Sequence, residues 1–311
     1  MLAGNTLTSL PSTMAQCRNL QLLRISVNQL GKIPSWLFSM PQLSWLAFAS
    51  NMDRGVSQMD DDLTGVSWGD LTVMEQLGEG ASGIISKAHR QNTAQQEVAV
   101  KLFKGELTTD GLPTDEMYAC MAAGVHPNLV QVLGRIDSHP EQKRGLMLEL
   151  IPSTFKTLAS PPSLDTFTRD IYQPGTSFSR SKLAQIASGI AAAAAHLHSR
   201  GIMHGDLYAH NILVGPDKAL LSDFGAATLY AKDYSDDAAT IERLEVRAFG
   251  YLLEELLEHI DPNDTHSESI NAFTQLKEDC MHLEVLKRPN FAEICHRIAD
   301  FRLLTKTLPS T

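Results

Sequence analysis

Two kinds of hydrophobic spacing divide this chain of 311 residues, and one gives way to the other between residues 52 and 68. In the first fifty residues the apolar positions follow LxxLxIxxNxLxxIP. Leu20, Leu23, Ile25 and Asn28 recur 23 positions later as Leu43, Leu46, Phe48 and Asn51, and Asn28, Leu30, Ile33, Pro34 and Leu37 repeat Asn5, Leu7, Leu10, Pro11 and Met14. The period predicts a short strand with inward leucines, then a turn where Asn satisfies buried backbone groups. A continuous amphipathic helix would also space leucines this way, but Pro11, Pro34 and Pro41 oppose it.

Residues 52–68, MDRGVSQMDDDLTGVSW, lose the repeat and carry Asp60, Asp61 and Asp62, which predicts a linker. Beyond Trp68 the text changes to strands first and helices later. Leu71 to Leu77 and Ile84 to Ala88 flank a glycine turn, and Glu97 to Phe103 is a valine-rich run. Lys182 to Ser199 then places Leu183, Ile186, Ile190 and Leu197 at helical spacing, with Ser181 as its N-cap and Gly201 as its stop. A strand-rich lobe followed by a helical lobe leaves a cleft between them.

Composition narrows the function classes. A formal charge of −10 provides no broad basic field for nucleic acid. Cys17, Cys120, Cys280 and Cys295 lie far apart without CxxC pairing, so a reducing, cytoplasmic setting is expected. No apolar run is long enough for a membrane span, and the tract IASGIAAAAAHLH is interrupted by Ser188 and His196, as in a buried helix. His126 and His204 lack HxxxH spacing and are assigned structural roles.

The candidate chemistry lies in three segments. Gly78-Glu79-Gly80-Ala81-Ser82-Gly83 sits between two predicted strands, where glycines let backbone N–H groups approach phosphates. By itself this is as compatible with a tight turn. Lys101 closes the apolar strand Val98-Ala99-Val100, and Glu116, on the predicted helix before His126-Pro127-Asn128, can orient it. In the third segment Asp206 is followed by Asn211 and then Asp223 within HGDLYAHN and SDFG. One group could thus orient a hydroxyl while two supply oxygen ligands suited to Mg²⁺.

Through LGEGASG, VAVK, HGDLYAHN, SDFG and CMHLEVLKRPNFAEI, the chain from about Trp68 to Leu304 resembles the protein-kinase family, nearest to its tyrosine-kinase-like branch in style. The first fifty residues resemble leucine-rich repeats. The resemblance implies an α+β, two-lobed kinase fold preceded by a short solenoid: repeats over 1–56, a linker over 57–68, and a kinase domain over 69–304, divided at residue 150. It implies that Gly78, Gly80 and Gly83 cover the phosphates of ATP, that Lys101 pairs with Glu116, that Asp206 is the catalytic base, and that Asn211 and Asp223 hold magnesium. Ile85 and Ala99 should roof the adenine with Leu213 beneath it, and Glu149 and Leu150 belong to the hinge. At most two and a half repeats are present where about three are needed. That segment therefore continues a longer array upstream or leans on the kinase domain. A protein partner on the concave side of the repeats is expected.

Several positions depart from the family pattern. Gly205 replaces the Arg before the catalytic Asp, no APE motif appears, and only about twenty residues separate Gly225 from Glu245, in a segment that resembles the central kinase helix. A kinase not switched by activation-loop phosphorylation follows. Tyr208 stands where serine/threonine kinases carry Lys, with His210 the nearest substitute. Serine or threonine is favoured over tyrosine as acceptor. A small-molecule kinase of the aminoglycoside or choline type and a pseudokinase scaffold are the alternatives.

Overall fold

The structure, a computed structural model, describes residues 2–51, 65–91, 96–105, 107–163, 169–231, 236–265 and 267–304. The acidic cluster Asp60–Asp62 lies outside them.

In the amino-terminal segment, β1 (Leu22–Arg24) and β2 (Trp45–Ala47) flank the one-turn helix α1 (Ser35–Phe38). The strands run parallel with Leu22 opposite Trp45, Leu23 opposite Leu46 and Arg24 opposite Ala47, an offset equal to the sequence period. The turns after them are closed by the asparagines. Asn28 Nδ2 donates to the carbonyls of Leu2 and Ile25 at 2.9 Å, while its Oδ1 accepts the Leu7 N–H at 3.1 Å. Asn51 Nδ2 donates to the carbonyls of Ile25 and Phe48 at 2.8 Å. Buried backbone groups that a single strand pair cannot satisfy are thereby paired. The leucines need a lid, and it comes from the rest of the chain: Met203, Ile241 and Leu244 complete the cluster containing Ile25, Leu37, Leu43 and Leu46. Of the two outcomes left open by the sequence, contact with the following domain is realised.

The second domain starts earlier than the linker assignment allowed. Gly65–Ser67 forms β3, followed by a 3-10 turn at Trp68–Asp70, because Val66 is an apolar residue that the sheet can bury. β4 (Leu71–Glu79), β5 (Gly83–Arg90), β6 (Gln96–Phe103), β7 (Val132–Asp137) and β8 (Gly145–Glu149) join β3 in one sheet of order β3-β7-β8-β6-β5-β4. Within this sheet, among the described residues, β3 and β7 pair in parallel and the other neighbours antiparallel. The helix α2 (Pro113–Ala123) packs on this sheet through Met117, against Phe103 and Leu146.

The helical lobe opens with the two-residue strand β9 (Lys156–Thr157) and α3 (Arg180–Ser199). The N-cap of α3 is Ser179, whose Oγ accepts the Lys182 N–H at 3.3 Å; Ser181 lies inside the first turn. Leu183, Ile186, Ile190 and Leu197 have no exposed surface, and truncating one such Leu typically costs about 2–5 kcal/mol. The alanine run permits close packing at full helix propensity. β10 (Ile202–Met203), β11 (Ile212–Val214), β12 (Ala219–Leu221) and β13 (Thr228–Leu229) bracket the loops that carry the candidate chemistry. They precede α4 (Asp236–Glu258), α5 (Glu268–Cys280) and α6 (Phe291–Leu304). Glu245, in the segment that resembles the central kinase helix, falls midway along α4, which begins at Asp236. The segment after Gly225 is therefore shorter than the sequence indicated.

Candidate active site

Ten of the sequence-assigned residues line one cavity of about 470 Å³ between the lobes: Gly78, Ile85, Ala99, Lys101, Glu116, Glu149, Leu150, Asn211, Leu213 and Asp223. The size suits a drug-sized or nucleotide-sized ligand. Ile85 and Lys101 are cross-strand partners on β5 and β6, and Ala99 pairs with Leu148 on β8, so the sheet register sets this wall. Leu213 comes from β11 on the opposite side. Gly80, Gly83 and Asp206 are not among the lining residues. Gly80 and Gly83 belong to the tight β4–β5 connection, where the Gly80 N–H donates to the Gly83 carbonyl at 2.9 Å. A Cβ on Gly83 would stand 2.7 Å from the Leu102 carbonyl oxygen, so the hairpin requires glycine there.

Lys101 donates to Glu116 Oε1 in a buried ion pair linking β6 to α2. Burial opposes the charge on Lys101, but the carboxylates of Glu116 and Asp223 outweigh it and hold the ammonium above its ordinary pKa. Lys101, Glu116 and Asp223 thus share one electrostatic environment. Asp223 is exposed at the cavity with φ of 59°, and its Oδ1 accepts the Gly225 N–H at 3.1 Å.

The loop carrying Asp206 is fixed from below by α4. Glu245 Oε1 accepts the Gly205 N–H at 2.7 Å, and its Oε2 accepts the His204 N–H at 3.1 Å and contacts His198 Nε2 at 2.7 Å. Burial would raise the Glu245 pKa, yet its histidine neighbours and the Gly205 N–H bring it below the ordinary value. Asn211 Nδ2 donates to the Asp206 carbonyl at 3.0 Å, leaving the amide oxygen as the atom of that side chain able to bind a cation. His204 is fully buried with Nε2 3.0 Å from the Ser222 carbonyl, in keeping with a structural role.

One participant escaped sequence reasoning. Asp170 Oδ1 contacts His210 Nδ1 at 2.9 Å, and Asp170 Oδ2 accepts the His210 backbone N–H at 2.8 Å; His210 Nε2 then lies 3.4 Å from Asp206 Oδ2. Burial works against a charge on His210, but hydrogen bonds to Asp170 and Asp206 push its pKa up to about 10, so it is an imidazolium at neutral pH. Asp206 Oδ1 is buried with no hydrogen-bond partner among the described residues. Asp170 follows a proline-rich stretch without periodicity, and no local signal marks it. Thr157, Cys120 and Phe224 also line the cavity and were not assigned.

Oxygen donors at Asn211 and Asp223, a cation at Lys101 and a carboxylate at Asp206 form a set able to bind a polyphosphate and orient a hydroxyl. Residues 71–267, more than half of the chain, match the protein kinase domain model, and the chain belongs to that family. Among curated proteins, "Cyclin-dependent kinase 11.1" of Caenorhabditis elegans is 29% identical over 161 residues, covering 50% of this chain and 21% of that protein. The chain thus spans about a fifth of the length of that relative. No helix among the described residues is long and apolar enough to cross a membrane.

Proposed function

We propose that this chain transfers the γ-phosphate of ATP to a serine or threonine hydroxyl of a protein. The observation that carries the reading is the convergence of the Lys101–Glu116 pair and Asp223 on one interlobe cavity. In this reading Lys101 binds the phosphates, oriented by Glu116, and the Gly78–Gly83 hairpin covers them. Asp206 orients the incoming hydroxyl and accepts its proton, a role supported by an Oδ1 that no protein donor among the described residues occupies. Asn211 and Asp223 are the residues that would hold magnesium, since Mg²⁺ is commonly bound through one or two protein oxygens plus substrate phosphates. When bound, the metal supplies charge neutralisation on the phosphate oxygens. Ile85, Ala99 and Leu213 enclose the adenine, with Glu149 and Leu150 as the hinge.

Only residues 226–235 separate Gly225 from α4, which supports a kinase that is not switched by activation-loop phosphorylation. We assign the amino-terminal segment to leucine-rich repeats on its 23-residue strand offset and its asparagine hydrogen bonds. Four unpaired cysteines support a reducing, cytoplasmic setting. A protein partner of the repeats would bind away from Arg24 and Trp45 of the strand face, which are buried within the chain itself. Incubation with Mg-ATP and a panel of protein and small-alcohol acceptors, followed by mass spectrometry, tests the assignment. Phosphoserine or phosphothreonine is the expected product. Transfer confined to a small alcohol, or nucleotide binding without transfer, contradicts it.

A further inference from the structure

The strand face of the amino-terminal segment meets both lobes beside the candidate site. Arg24, at the end of β1, is 9% exposed, and its guanidinium lies over the Trp45 ring at 4.8 Å. It reaches the strand-rich lobe: Arg24 Nε is 2.9 Å from Asp110 Oδ1, and Nη1 donates to Thr109 Oγ1 at 2.7 Å. A few residues on, Ser50 Oγ donates to Asp115 Oδ2 at 2.6 Å. Thr109 and Asp110 precede α2, and Asp115 lies in its first turn beside Glu116. That helix begins at Pro113 after Leu112, which supplies no side-chain cap, and spans only 11 residues. A helix this short is marginal without outside contacts.

Trp45, on β2, faces the other lobe. Its ring is 4.9 Å from Tyr208 and 5.8 Å from His210, and the neighbouring Ser44 Oγ is 3.0 Å from the Tyr208 hydroxyl. Tyr208 and His210 are residues of the loop that carries Asp206. At the same interface Gly205 has φ of +80°, and a Cβ there would stand 2.5 Å from the Ala226 carbonyl oxygen and 3.1 Å from that of Leu46. The substitution of glycine for arginine in the catalytic loop therefore has a steric counterpart: β2 and the Ala226 backbone occupy the space a side chain would need.

We infer that Arg24 and Trp45 are positioning residues supplied in cis, a bridge that holds the start of α2 and the catalytic loop in register across the cleft. The consequence for catalysis rests on the phosphoryl-transfer reading above. With the bridge in place the Lys101–Glu116 pair is formed and the interlobe cavity is open, so docking organises the site rather than plugging it.

The test uses the full chain with Arg24→Ala, Arg24→Lys and Asp110→Asn, read by hydrogen exchange and by steady-state transfer. Asp110→Asn cuts the bridge from the kinase side and leaves the repeat core untouched, so it decides the matter if Arg24→Ala does not fold. Loss of the bridge should raise exchange at residues 107–123 and 204–211 with α6 unchanged. It should lower kcat by about tenfold to a hundredfold, the scale of slight misplacement, with a much smaller change in KM for ATP. Arg24→Lys should recover most of kcat, and the Arg24→Ala, Asp110→Asn double variant should be no worse than either single one. Exchange and kcat within about twofold of wild type in Asp110→Asn would overturn the inference, since contacts in one network show measurable coupling. So would a rise in kcat, which marks the docked segment as a brake. If the wild type transfers no phosphate, the functional reading fails, and the exchange comparison alone then decides the bridge.

Discussion

Replacing Glu245 by alanine isolates what α4 contributes to the catalytic loop. The carboxylate is 1% exposed and serves the His204 and Gly205 N–H groups and the His198 ring. Alanine leaves two buried backbone donors and an imidazole without an acceptor. Each orphaned buried polar group costs about 1–3 kcal/mol, and because the three share one carboxylate we expect about 3–5 kcal/mol rather than the full sum. Against a typical total stability of about 5–15 kcal/mol this is a large fraction. Urea unfolding should show the lower midpoint with an unchanged slope. Glu245→Gln keeps one acceptor oxygen but presents an amide to a donor, and should fall between alanine and wild type. The folded pKa of Glu245 lies below its unfolded value, so its contribution is present above about pH 4.5 and is lost as pH falls through the folded value. The gap between wild type and Glu245→Gln should therefore narrow on acidification. A Glu245→Ala variant within about 1 kcal/mol of wild type at pH 7 would refute the reasoning, because it would show these contacts to be energetically idle.

Three further outcomes are expected. Gly205→Ala combines a Cβ contact of 2.5 Å with a left-handed φ, and should cost at least about 2 kcal/mol and increase protease cleavage in the first fifty residues; a wild-type melting point and cleavage pattern would contradict it. Burial and the Asp170 carboxylate push the Glu255 pKa up to about 8, so the folded state holds a proton that the unfolded state releases near pH 4.5; between pH 5 and 8 wild type should lose about 3 kcal/mol more than Glu255→Gln, since the loss set by the raised His210 pKa above about pH 6.5 is common to both. The guanidinium of Arg288, 1% exposed, donates to the carbonyls of Pro41, Arg243 and His282, fastening the repeat segment to the last helices; Arg288→Lys cannot span all three and should lower stability by about 1–3 kcal/mol by calorimetry.

Much of this architecture was legible because the signals were periodic or chemically constrained. The 23-residue recurrence returned as the offset between β1 and β2, and Asn28 and Asn51 hold the turns their spacing indicated. Lys101, Glu116, Asn211 and Asp223 meet in one cavity because a cation, two carboxylates and an amide at those intervals have few other uses. What stayed hidden depends on contacts between segments remote in sequence. Asp170 becomes His210's partner only through a contact between residues 40 positions apart in sequence. The linker assignment missed β3 because three residues cannot show an alternation, and Val66 is buried through a parallel pairing with β7 some seventy positions away. Ser181 was a reasonable cap by type; Ser179 holds the position because the chain enters the helix two residues earlier. The burial of Arg24 and Trp45 stayed hidden for a related reason, since a strand face looks free until the structure shows what covers it.

The most direct test of the central claim is single-turnover transfer from Mg-ATP by wild type beside Asp206→Asn and Lys101→Met, with nucleotide binding measured on the same samples. The account predicts transfer by wild type alone, nucleotide binding retained in Asp206→Asn, and binding weakened in Lys101→Met. Equal transfer by all three proteins would contradict it.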